Sequence, residues 1–135
     1  MPSFTGVSHV GLSVGDLDRS VAWYTDLLGF QMVMPTDAPG FRRALLAHEC
    51  GLMVGLTQHD ANDSTPFREA NAGLDHLAFA VADRAELAEW EARLAEKGVT
   101  FSPIQDEFYG SVLNFRDPDG TQLELYTAPA TSPGG

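Results

Sequence analysis

Three side chains sit oddly in the strand patterns that carry them: His9 in "VSHVGLSV" (7–14), His76 in "LDHLAFAV" (74–81) and Glu124 in "TQLEL" (121–125). Side chains alternate between the two faces of a strand. Val7, His9, Gly11 and Ser13 therefore share one face, and Val10, Leu12 and Val14 supply an apolar one. In the later segment Leu74, His76, Ala78 and Ala80 oppose Asp75, Leu77, Phe79 and Val81. Small residues follow each histidine on its own face, which fills a core poorly but leaves room beside an imidazole. Glu124 lies between Leu123 and Leu125, on a face with Gln122 and Tyr126. A carboxylate in such a strand is costly to bury unless it is paired or metal-bound. Each residue taken alone reads as structural. Together, two histidines and one carboxylate with open positions form a recognised ligand set for a divalent metal.

What joins them is a duplication. The segment "VSHVGLSVGDLDRSVAWY" (7–24) is repeated 67 residues later as "LDHLAFAVADRAELAEWE" (74–91), matching His9 with His76, Val14 with Val81, Asp16 with Asp83 and Trp23 with Trp90. Each block reads as strand, cap, helix. Asp16 and Asp83 stand where a short carboxylate can accept from the first-turn N–H groups. Leu17, Val21, Tyr24 and Leu28 give helical spacing in the first helix, as do Leu87, Trp90 and Leu94 in the second. Gly29 and Gly98 follow the helices, where a left-handed residue is usual. Their offset is 69, so the second helical segment is two residues longer.

At that offset "LMVGL" (52–56) corresponds to "TQLEL" and Gly55 to Glu124. If a pseudo-twofold axis relates the halves, His9, His76 and Glu124 converge on one cavity, and the fourth equivalent position is a glycine. Short strands are expected at about 30–35, 41–48 and 51–58, and again at about 99–105, 109–116 and 121–127. "RDPDG" (116–120) is a strong turn between the last two. The fold class is α+β, two tandem βαβββ modules, with a first module at 4–61, a polar linker at 62–72, a second module at 73–128 and a disordered tail at 129–135.

Composition narrows the partners. With 135 residues and 44% hydrophobic content the chain suits one soluble domain built from two small modules. Lys+Arg 8 against Asp+Glu 19 gives a net charge of −11, which argues against nucleic acid or an anionic membrane as partner. No apolar run reaches membrane-spanning length, no export leader is apparent at "MPSFTGVSH", and the single cysteine, Cys50, forms no intrachain disulfide. A cytoplasmic protein acting on a small molecule is expected.

The motifs "SHVGLSVGDLDRSVAWYTDLLGF", "DHLAFAV" and "FRDPDGTQLEL" resemble the vicinal oxygen chelate superfamily over about residues 4 to 128. That superfamily includes glyoxalase I, methylmalonyl-CoA epimerase, extradiol dioxygenases, fosfomycin-resistance transferases and bleomycin-binding proteins. The resemblance implies curled mixed sheets lining a metal cleft, a homodimer, and one divalent metal (Fe, Mn, Zn, Ni or Co) on His9, His76 and Glu124. Glyoxalase I and the epimerase use a fourth ligand, which would fall on Gly55. Extradiol dioxygenases use the three-ligand set but have a tyrosine where this chain has Asn114. Fosfomycin-resistance transferases have a threonine where Gly11 stands.

The resemblance thus implies a glyoxalase- or dioxygenase-like metal-dependent enzyme (a lyase, isomerase or dioxygenase) acting on a small molecule with vicinal oxygens. The alternative is a metal-free, bleomycin-type sequestering protein, which the acidic charge suits. Around the metal set, Asn114, Gln122 and Tyr126 share the Glu124 side of their strands by parity, and Met53 and Thr57 flank Gly55; these are the expected substrate contacts. Tyr126, Asn114 and His59 are the candidates for catalysis, His59 as a neutral-pH base. His48, beside Glu49 and Cys50, gives a weaker hint of a second metal site.

Overall fold

The computed structural model describes residues 1–130, and the chain divides between Thr65 and Pro66 into two compact units. The first unit contains β1 (Val10–Ser13), α1 (Leu17–Leu28), β2 (Gln31–Pro35), β3 (Phe41–Ala47) and β4 (Met53–His59). Its four-stranded sheet has the order β1-β4-β3-β2, with β1 parallel to β4 and the remaining pairs antiparallel. The second unit repeats this plan with β5 (Leu77–Ala80), α2 (Arg84–Glu96), β6 (Gln105–Glu107), β7 (Gly110–Arg116) and β8 (Gln122–Thr127), in the order β5-β8-β7-β6.

Each helix forms where its cap and apolar spacing dictate. The Asp16 carboxylate accepts from the Arg19 N–H at 3.0 Å, and Asp83 accepts from the Glu86 N–H at 2.8 Å. Gly29 (φ 80°) and Gly98 (φ 68°) take the left-handed conformation past the helix ends. α1 packs on β3 and β4, burying Leu17, Tyr24, Leu27 and Leu28 against Ala44, Leu46, Val54 and Leu56. α2 packs on β7 and β8, burying Leu87 and Leu94 with Leu113, Phe115, Leu123 and Leu125. One face of each sheet is thereby consumed by a helix. The other carries the candidate site residues.

The registers make the internal repeat concrete. Gly11 pairs with Gly55 in the first unit as Ala78 pairs with Glu124 in the second, and Leu45 faces Gly55 as Asn114 faces Glu124. Two details differ from the sequence-based expectation. Both histidines stand one residue before their strands rather than within them, since β1 opens at Val10 and β5 at Leu77. The expected strand at 99–105 shrinks to a bridge between Phe101 and Phe115 followed by β6 at 105–107. Pro103 lies between them and has no N–H to give a ladder.

The expected linker divides its allegiance. The unit boundary falls inside it, and beyond that boundary the Phe67 N–H donates to the Asp119 carbonyl at 3.1 Å. Residues 131–135 of the expected tail lie outside the described residues. In the RDPDG turn, Asp117 Oδ1 accepts from the N–H groups of Asp119 and Thr121, each at 2.9 Å, and Gly120 takes φ 81°.

The β6–β7 hairpin closes on a constrained glycine. Gly110 has φ 145°, and a Cβ there would run into the Thr127 carbonyl oxygen and come within 2.7 Å of the Tyr126 ring. Gly110→Ala is therefore expected to destabilise the protein by about 3 kcal/mol, combining backbone strain with overpacking. Denaturant unfolding checks this; a loss smaller than about 1 kcal/mol would mean that the hairpin relaxes freely.

Candidate metal centre

In the second unit the site grows from two neighbouring strands. Glu124 occupies the middle of β8, between β5 and β7, with its backbone in register with Ala78 and Asn114. Alternation keeps Leu123 and Leu125 in the core and turns Glu124, Gln122 and Tyr126 to the opposite face. His76 precedes β5 on the side of the exposed Ala78 and Ala80, which leave space above Glu124. The imidazole Nε2 stands 3.8 Å from Glu124 Oε2, with His76 45% exposed and Glu124 19% exposed.

The other ring nitrogen is held in place. His76 Nδ1 lies 2.7 Å from Asp75 Oδ1, so the ring donates its Nδ1 proton to that carboxylate and turns Nε2 toward Glu124 as the nitrogen that would ligate a metal. The hydrogen bond to Asp75 raises the imidazole pKa above its ordinary value; the nearby Glu124 charge adds to this, and partial burial opposes it.

These donors fit a divalent ion. Nitrogen and oxygen ligands about 2.1 Å from a shared ion stand about 3.0–3.5 Å apart at octahedral to tetrahedral angles. The separation of 3.8 Å between Nε2 and the carboxylate stands a few tenths of an ångström beyond that range. Among the described residues, no group of three or more His, Cys, Asp or Glu side chains stands close enough to hold a metal, so this pair is a two-donor fragment.

A cavity of about 410 Å³ opens over the pair and is polar on most sides. Asn114 and Gln122 line it, and Gln122 Nε2 donates to Asn114 Oδ1 at 2.9 Å. The Asn114 amide nitrogen is left as the donor that can face a bound molecule. Arg116 and Glu69, ion-paired with each other, form another wall, and Arg116 also donates to the Gly120 carbonyl at 2.9 Å. A hydrogen bond to its own backbone N–H, then the one from Arg116, hold the Glu69 carboxyl below its ordinary pKa.

In the first unit, His9 lies beside a cavity of about 550 Å³ that Met53, Gly55 and Thr57 also line. Its Nδ1 is 2.9 Å from Ser8 Oγ. The same cavity holds Arg43, whose Nε donates to Thr57 Oγ1 at 2.7 Å.

The remaining candidates are placed elsewhere. The Tyr126 hydroxyl donates to the Tyr109 carbonyl at 2.6 Å and so braces the β6–β7 turn. His59 ends β4 with its ring edge-on to Phe41, and it lines neither cavity. His48 Nδ1 accepts from the Cys50 N–H at 3.0 Å. Sequence reasoning missed the positioning role of Asp75, although it adjoins His76, and missed Arg43, which strand parity places with Leu45 on the Gly55 side of the sheet. The ion pair of Arg116 with Glu69 joins residues 47 apart and left no sequence signal.

Comparison with known proteins agrees with this architecture. A glyoxylase/bleomycin resistance protein/dioxygenase domain from Frankia sp. EAN1pec superposes with a TM-score of 0.90 at 37% identity, covering 96% of each chain. A catechol-2,3-dioxygenase of Bacillus subtilis is 30% identical over 122 residues, which span 90% of this chain and 41% of the dioxygenase. The chain thus spans about two fifths of that relative. The glutathione transferase FosA of Serratia marcescens is 31% identical over 121 residues, covering 89% of this chain and 79% of the transferase. Residues 6–125 match the family model, and the chain belongs to the Glyoxalase/Bleomycin resistance protein/Dioxygenase superfamily.

Proposed function

We propose that this chain is a metal-dependent enzyme acting on a small molecule with two adjacent oxygen atoms, with His9, His76 and Glu124 as the metal ligands. The observation that carries the reading is the His76–Glu124 pair, with the imidazole oriented by Asp75. A carboxylate set between leucines, an imidazole whose Nε2 faces it, and a second carboxylate holding Nδ1 are features that suit part of a divalent site. When bound, the ion supplies Lewis-acid stabilisation of the negative charge that develops on the substrate oxygens.

The protein's own groups supply the rest. Asn114 donates its amide N–H to a substrate oxygen while Gln122 fixes the amide's orientation. The Arg116–Glu69 pair forms a rigid polar wall, and Met53 and Thr57 offer an apolar and a hydroxyl contact beside His9. The superfamily supports a metalloenzyme of this general kind. A lyase, isomerase or dioxygenase activity, a homodimeric assembly and a cytoplasmic setting belong to this proposal. Among the described residues no helix is long and apolar enough to cross a membrane.

The competing reading is metal-free sequestration of a cationic drug of the bleomycin type, favoured by the net charge of −11. The two are separated by chelation. Protein purified without affinity-metal resin is screened against catechols, diols and dicarbonyls. Turnover of at least one is expected, lost with a chelator and restored by a single divalent metal. Tight bleomycin binding that survives chelation, with no turnover of any compound, would establish the second reading.

A further inference from the structure

Arg43 differs from three of the chain's other arginines, although Arg68 and Lys97 also have no carboxylate partner among the described residues. Arg42, Arg84 and Arg116 each pair with a carboxylate: Asp18, Asp106 and Glu69. Among the described residues no carboxylate forms an ion pair with the Arg43 guanidinium, in a chain with 19 acidic residues against 8 basic ones. Asp37, the carboxylate bonded nearest in the chain, accepts from the Arg43 backbone N–H instead. The side chain is nonetheless fixed. Its Nε donates to Thr57 Oγ1 at 2.7 Å, and its guanidinium carbon stands 4.3 Å from the centre of the Phe41 ring.

A guanidinium gripped at Nε and laid on an aromatic face presents its two terminal nitrogens as a preorganised fork. Arg43 borders two cavities: one toward α1 and β2, which Asp18, Asp26 and Asp37 also line, and the one beside His9, whose described lining residues include no aspartate or glutamate. The bond to Thr57, which lines the second cavity and not the first, sets the guanidinium on the His9 side. An overall charge of −11 repels anions at long range, so a cation fixed in place without a carboxylate partner, on the side of the sheet whose cavity has no acidic lining residue, offers a place for a negative group.

We propose that the substrate carries an anionic group, a carboxylate or one of similar bidentate geometry, in addition to its two adjacent oxygens, and that Arg43 receives it. This rests on the reading of His9 as part of the metal site, because it places the anion beside that histidine. Thr57 is then a positioning residue for the guanidinium.

The test uses catechol and 3,4-dihydroxybenzoate, which differ by one carboxylate, with binding measured by calorimetry on chelator-treated and metal-reloaded full-length protein. Wild type is expected to bind the acid about tenfold more tightly than catechol in both forms. Arg43→Gln should bring the ratio to about one while leaving catechol affinity unchanged. Thr57→Val, which keeps the charge but frees the fork, should give an intermediate ratio and stands in should Arg43→Gln fail to fold. No preference for the acid in wild type, or a preference that survives in folded Arg43→Gln, would overturn the proposal. Failure of the metal reading looks different: reloading would then tighten neither probe, whereas the acid preference would persist.

Discussion

Replacing His76 by alanine is expected to lower divalent-metal affinity by more than about a hundredfold, because it removes one of two donors already facing each other across 3.8 Å. The imidazole is 45% exposed, so its loss leaves no buried cavity and the fold should survive. Glu124→Gln should act as strongly, since an amide oxygen replaces an anionic one in a strand where only pairing or a metal compensates the carboxylate. Asp75→Asn is the graded member of the series. It retains an acceptor for His76 Nδ1 but removes the charge that orients the ring and raises its basicity, and a loss of about ten- to a hundredfold is expected. Elemental analysis and competition with a chromophoric chelator measure all three. Equal metal retention in wild type and His76→Ala would reject this ligand set.

The effectiveness of that series depends on geometry that sequence conveyed unevenly. The duplication was legible because it is written twice. Offsets of 67 and 69 relate the strands, caps and helices, and the structure repeats the pairing of Gly11 with Gly55 as that of Ala78 with Glu124 at those offsets. The change of offset falls where α2 runs to Glu96 and Lys97 precedes Gly98. Alternation likewise located the site face, because one face of each sheet had to meet a helix.

Less legible were features set by single residues or distant partners. Pro103 removes a ladder donor and cuts an expected strand to a bridge and a three-residue remnant. Asp75 looked like a polar intrusion on a core face, but a residue just before a strand is released from strict alternation and turns to the imidazole. Tyr126 has the parity of a substrate contact, yet Gly110 lets its ring reach the Tyr109 carbonyl. Glu69 came from a polar segment expected to be a plain linker, and only the folded second unit gives it Arg116.

Introducing a carboxylate at Gly55 should have the opposite effect to losing the imidazole of His76. Gly55 is the counterpart of Glu124 in the first unit, paired with Gly11 on one side and Leu45 on the other. A Cβ at this position meets no atom within 4 Å, and the backbone has no positive φ, so a side chain is sterically admissible. Gly55→Glu is expected to raise metal affinity by about tenfold or more, since an added anionic oxygen strengthens a divalent site. It should also abolish any activity that needs the open coordination position for substrate. One neighbour competes for the new carboxylate: Arg43 faces Thr57 across β3 and β4, two residues along the same sheet face. Pairing Gly55→Glu with Arg43→Gln removes that competitor and should increase the gain in affinity. Circular dichroism and thermal melting separate coordination from misfolding. A folded double variant with unchanged metal affinity would show that the Gly55 position does not face the metal, and the internal symmetry would then hold for the fold without extending to the site.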